Sequence, residues 1–146
     1  PEKREERTTE GGLVVADDLE SVSAAVASLH EAGIRVSLFV DPSRREIEAS
    51  RQSGADMVEL HTGDYCEAKA DQRGRQLDRL VDAAMASADL GLKVAAGHGL
   101  HYHNVAPVAQ IPEVEELNIG HSIVARAVFV GMERAVRQML EAMGEL

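Results

Sequence analysis

Apolar positions along the chain recur in two ways, as short continuous runs of strand length and as longer stretches with a step of three to four residues. The first helical stretch spans about Asp17 to Ala32, where Leu19, Val22, Val26 and Leu29 share a face; Asp17 and Asp18 are N-cap candidates and Gly33 is the stop. Ile34 to Val40, IRVSLFV, is a β-branched run that predicts a strand. Asp41-Pro42-Ser43 opens a short helix ending near Gly54, and Ala55 to Leu60 predicts a second strand followed by a loop, HTGDY. A long helix is expected over about Asp71 to Leu90, with Leu77, Leu80, Val81, Ala84, Met85 and Ala88 on one face and Gly91 ending it. A third strand, Leu92 to Ala96, leads into GHGLHYHNV, and Asn104 to Gln110 reads as a helical turn before Pro112. A fourth strand, Glu116 to Ile119, meets Gly120-His121. The last segment, about Ser122 to Met143, is helical with a break near Val130-Gly131, and Val128, Met132, Val136, Met139 and Met143 line one face.

Four strands each followed by a helix imply parallel pairing through right-handed crossovers, in an α/β fold whose helices cover the sheet. Periodicity leaves an open doubly wound sheet and part of a closed barrel equally open. No repeat or low-complexity linker divides the chain, so residues 1–146 read as one domain.

Composition narrows the function classes. Apolar residues make up 45% and aromatics only 3%, so Val, Leu, Ile, Ala and Met must build the core. A formal net charge of −10 opposes a nucleic-acid partner, which needs a basic patch. It does not oppose a small phosphorylated substrate, which backbone N–H groups at a helix start can hold locally. The apolar runs fall far below the roughly 20 residues of a membrane span, and no signal peptide is visible. Cys66 is the single cysteine, so no internal disulfide forms and a reducing compartment is expected. A cytoplasmic protein without membrane contact is the expectation. The chain opens at Pro1 in PEKREERTTEGG, which reads as a loop after an element, so a partial sequence is expected.

Polar and permissive residues gather at the C-terminal ends of the strands, where parallel α/β folds build their sites. They are Asp41, Glu59 to Gly63, Gly97 to Gly99, and Gly120-His121. Alternation puts Val58 and Leu60 on one face of the second strand and Met57 and Glu59 on the other, so Glu59 points away from the helices. Its plainer reading is a strand-end carboxylate paired with Lys or Arg. His98 between glycines suits close substrate approach and proton transfer near neutral pH, although it could simply end a strand in solvent. His98, His101 and His103 match no strong zinc spacing, and Tyr102 and His103 read as loop packing. Gly120-His121 before a helix suits a phosphate, or is a plain loop. Cys66 lacks a neighbouring base and reads as inert. Thr8 to Gly12, TTEGG, could be only a polar turn.

Together, TTEGG, VSLFVD, VELHTG, LGLKVAAGHGLHYHNV and ELNIGH, in that order and spacing, resemble the pyridoxine 5′-phosphate synthase family, in the later part of that family's chain. The resemblance implies the C-terminal half of a (β/α)₈ TIM barrel, about four strand–helix units of eight, assembling as a homo-oligomer, commonly an octamer. It implies condensation of 1-deoxy-D-xylulose 5-phosphate with 3-amino-2-oxopropyl phosphate to pyridoxine 5′-phosphate, phosphate and water, with no metal or organic cofactor. By motif, His98 is similar to the family's proton donor and Gly99 to a substrate contact. Glu59 matches a carboxylate that stabilises the transition state, Gly120 and His121 the phosphate-binding pair, and Thr8 a further substrate contact. The family's other catalytic groups lie on early strands that this sequence does not include. Two departures, Ala95 where Asn is expected and HTGDY with Cys66 displaced, are expected not to touch the matched residues, though both could alter the residues around them. A non-catalytic half-barrel module and a metal-dependent barrel hydrolase are the alternatives.

Overall fold

The computed structural model describes residues 11–145, and Thr8 lies outside the described residues. After a 3₁₀ turn, Val15–Asp17, the order is α1 (Leu19–Glu31), β1 (Ser37–Val40), α2 (Arg44–Gln52), β2 (Met57–His61), α3 (Gly63–Glu67) and α4 (Ala70–Asp89). β3 (Lys93–Gly97), α5 (Val105–Ala109), β4 (Val114–Asn118), α6 (His121–Val130) and α7 (Met132–Met143) complete it. The strands form one parallel sheet in the order β1-β2-β3-β4. A doubly wound sheet reverses its strand order at a switch point, whereas a barrel adds strands in sequence. The sequential order therefore decides for a portion of a (β/α)₈ barrel.

Strand alternation splits the sheet into two faces. Leu38, Val40, Val58, Leu60, Val94 and Ala96 are buried beneath the helices, packed with Ile47 of α2, Leu80, Ala83 and Ala84 of α4 and Val108 of α5. On the opposite face, Phe39, Glu59, Ala95 and Glu116 stand side by side, and His61, Gly97 and Asn118 form the next row. A register shift between Val94 and Ala95 sets this arrangement. Val94 pairs with Val114 but Ala95 with Glu116. Without the skipped residue, Leu117 rather than Asn118 would stand opposite Gly97.

The elements differ from the sequence expectation where side chains capture the backbone. β1 begins at Ser37, because Ile34 N–H closes α1 on the Leu29 carbonyl (3.0 Å) and Val36 N–H donates to the Asp56 carboxylate (2.7 Å). That N–H, with His30 at 2.8 Å, holds the Asp56 carboxyl below its usual range. HTGDY is not a loop. Gly63–Glu67 is helical, with Cys66 N–H bonded to the Thr62 carbonyl (3.0 Å) and Tyr65 buried, its hydroxyl donating to the Asn104 carbonyl (2.8 Å). The buried face of α4 is Leu80, Ala83, Ala84 and Ser87; Met85 and Ala88 are exposed. Ser87 enters the core because its hydroxyl donates back to the Ala83 carbonyl at 2.8 Å. The expected apolar face of the last segment is also revised. Gly131, at φ 84°, separates α6 from α7, and Ala135 and Met139 are buried while Val128 and Met132 stay in solvent.

Leu60 is fully buried at the middle of the helix-facing layer. Leu60→Ala should cost about 2–5 kcal/mol in chemical denaturation. A loss below about 1 kcal/mol would contradict this packing.

Candidate active site

β2, β3 and β4 deliver their C-terminal ends to one cavity of about 550 Å³, lined among others by Phe39, Glu59, His98, Gly99, Asn118, Gly120 and His121. Glu59, His98, Gly99, Gly120 and His121 were each singled out from sequence, and the fold brings all of them to one wall. A second hollow of about 500 Å³ near α2 is lined by Arg44 and Arg45, already engaged with Glu48 and Asp17.

Glu59 sits in β2, half-buried, and its partner is an amide rather than Lys or Arg. Asn118 Nδ2 donates to Glu59 Oε2 at 2.9 Å. The other oxygen lies against Gly97, where an added Cβ would stand 2.4 Å from Oε1. Burial pushes the Glu59 carboxyl above its usual range; the Asn118 N–H draws it back, and the Glu116 charge adds to the rise.

His98 follows β3 with φ 80°, and Gly99 follows with φ 77°. A left-handed non-glycine residue costs free energy and persists only where its surroundings enforce it. Here buried Thr62 does so. Its N–H donates to the Gly97 carbonyl (2.9 Å), and its hydroxyl is shared between the carbonyls of Gly97 (2.8 Å) and His98. Asn104 steadies the far side of the loop, accepting from His101 N–H at 2.7 Å. A Cβ at position 99 would fall 2.9 Å from the Cys66 Cβ, so glycine there meets both the φ and the packing. The imidazole of His98 is exposed at the cavity.

Gly120 caps α6, and the helix begins at His121. Ser122 Oγ donates to the Leu100 carbonyl at 2.8 Å, tying this helix start to the His98 loop. Among the described residues no side chain caps the first N–H groups of α6, which leaves them able to face an anion. A Cβ at Gly120 would meet no atom within 4 Å, so the fold itself does not require glycine there.

The rings of His101 and His103 pair with each other at 5.9 Å, whereas His98 faces His61. Among the described residues no group of three or more His, Cys, Asp or Glu could hold a metal ion. Both sequence departures lie closer to the site than expected. Ala95 is the ladder partner of Glu59, and Cys66 Sγ approaches the His98 carbonyl at 3.5 Å. Burial raises the Cys66 thiol above its ordinary range, which agrees with an unreactive packing role. Sequence reasoning missed Asn118, and it gave Thr62 no role beyond its place in the cluster Glu59 to Gly63. Asn118 stands in ELNIGH, but only the register shift in β4 reveals its facing.

The family model of the pyridoxal phosphate biosynthesis protein PdxJ matches residues 1–145. The chain belongs to the PdxJ family. Relatives named pyridoxine 5′-phosphate synthase include that of Idiomarina loihiensis, 56% identical over 140 residues, covering 95% of this chain and 58% of the relative. That of Synechococcus sp. is 57% identical over 145 residues, covering 99% of this chain and 61% of the relative. That of Magnetococcus marinus is 55% identical over 146 residues, covering 60% of the relative. The chain thus spans about 60% of the length of these curated relatives. Among the described residues of this PdxJ-family chain, no helix is long and apolar enough to cross a membrane.

Asn118→Leu should move the Glu59 titration, followed by carboxyl NMR, to higher pH, because the N–H that favours the ionised form is gone. Asn118→Asp should move it in the same direction, by placing a like charge beside the carboxylate. An unmoved titration in both variants would remove Asn118 from the account.

Proposed function

We propose that this PdxJ-family chain carries the proton-donating and phosphate-binding part of a pyridoxine 5′-phosphate synthase. The reaction condenses 1-deoxy-D-xylulose 5-phosphate with 3-amino-2-oxopropyl phosphate and yields pyridoxine 5′-phosphate, inorganic phosphate and water. The observation that carries the reading is the convergence of Glu59, His98 and the α6 start on one cavity. Imine formation, dehydration and phosphate loss each need a proton at a departing oxygen, and His98 is placed to give it. Ionised Glu59 stabilises cationic imine character, and its tether to Asn118 holds it in place for that task. The free N–H groups at His121 and Ser122, with the positive end of α6, hold a phosphate although the chain is net acidic. Gly120 leaves the anion room to approach them, and Thr8 adds a substrate contact.

No resident metal or organic cofactor enters this scheme. Exposed apolar side chains on the last two helices, Phe129 at 85% and Val128 at 79%, support association with further protein, and a homo-oligomer is the form proposed. The small phosphorylated substrates and the lone free thiol fit a cytoplasmic setting.

Pyridoxine 5′-phosphate should form when both substrates are added to the complete protein. His98→Ala should lower kcat by about 10²–10⁴-fold with the fold retained. Gly120→Val should weaken binding of the deoxyxylulose phosphate by about tenfold or more, the worth of one charge-assisted hydrogen bond, at little cost to stability. Full turnover in His98→Ala, or equal affinity in Gly120→Val by calorimetric titration, would overturn the respective assignment.

A further inference from the structure

Asp41 follows β1, His61 closes β2 and His98 follows β3, so three polar side chains stand on neighbouring strand ends. His61 Nδ1 lies 3.0 Å from Asp41 Oδ1. An ionised carboxylate only accepts, so Nδ1 carries the proton. The His61 ring is held between two others. Phe39 meets it edge-on with centroids 5.2 Å apart, and the His98 ring leans on it at 5.0 Å and 53°. Its remaining nitrogen, Nε2, is buried without a hydrogen-bond partner among the described residues. Gly63 closes over that edge, where an added Cβ would come within 2.7 Å of Nε2. An orphaned buried N–H is rarer than an under-used acceptor, so Nε2 bears the lone pair and the tautomer is fixed.

The backbone of His98 is pinned by Thr62, but among the described residues its ring has no hydrogen bond. The ring packs against the His61 imidazole. Neither Asp41 nor His61 lines the cavity itself.

We propose that Asp41 and His61 are positioning residues for His98. Asp41 locks the His61 ring, and the locked ring fixes the direction in which His98 presents its imidazole to the cavity. This rests on the proton-donating role of His98 given above. Because the pair stands behind the cavity wall, its loss reaches the chemical step and leaves substrate affinity alone.

The test combines steady-state kinetics with ring ¹⁵N NMR on the complete protein. Asp41→Ala, at an exposed position, and His61→Leu should each lower kcat by about tenfold or more with KM within about twofold. Asp41→Asn, whose amide oxygen still accepts from Nδ1, should restore kcat to within about threefold of wild type. The double variant Asp41→Ala/His61→Leu should be no slower than His61→Leu, since the two act as one unit. A merely structural role would lower the unfolding midpoint without rescue by Asn. Unchanged kcat in His61→Leu, or a loss confined to KM, would overturn the proposal. The NMR arm stands apart from activity. It should show a protonated Nδ1 and an unprotonated Nε2 at His61, and displaced His98 ring signals in Asp41→Ala. The opposite tautomer, or His98 signals that stay in place, would overturn the positioning role. A wild-type protein that makes no pyridoxine 5′-phosphate would instead overturn the proposed function and leave the NMR arm to judge the pair.

Discussion

The lack of side-chain bulk on the inner face of β3 is the constraint from which the site follows. Glu59 on β2 and Asn118 on β4 are separated by a whole strand, about 9–10 Å at the usual spacing. They hydrogen-bond at 2.9 Å because Ala95 and Gly97 leave the surface between them open. Any Cβ at Gly97 would intrude on the carboxylate and on the Asn118 carbonyl, which it would approach to 2.9 Å. The same strand end then turns into the left-handed His98-Gly99 pair, so one short strand positions both the carboxylate and the imidazole.

Much of this was legible in the sequence. β-Branched runs separated by helical periodicity gave four strands and their helices, and the polar clusters marked the strand ends that meet at the cavity. Alternation alone turned Glu59 away from the helices. What stayed hidden depended on non-local geometry. Periodicity alone left barrel and doubly wound sheet open; the family resemblance implied the barrel, and the sequential strand order agrees with it. The facing of Asn118 needed the register shift at Ala95. The short helix Gly63–Glu67 is too brief to carry a periodic signal and is held by Tyr65 and Thr62 through contacts 35 to 39 residues away. Apolar faces misled where a serine bonds its own helix, as at Ser87, or where apolar side chains face solvent, as on α6 and α7.

The acidic balance and the proposed anionic substrate are reconciled by geometry. Charge summed over the chain says little about a helix start, where a few oriented N–H groups outweigh distant carboxylates. Ser122 fastens that helix start to the loop that carries His98, so under the proposed function a phosphate at Gly120 and a proton from His98 would address one substrate. Glu59, a half-buried carboxylate, lines the same cavity, and the Asn118 N–H partly offsets its desolvation.

The most direct measurement is the turnover of Gly97→Ala in the complete protein, with its unfolding midpoint recorded alongside. A methyl group at that position displaces Glu59 from Asn118 while the groups on the cavity wall keep their identity. A displacement of about 1 Å at a reacting centre lowers rates by about 10²-fold, and a fall of that order in kcat, in protein that remains folded, is the expected result. Wild-type turnover in folded Gly97→Ala would contradict the claim that the open inner face of β3 builds the site.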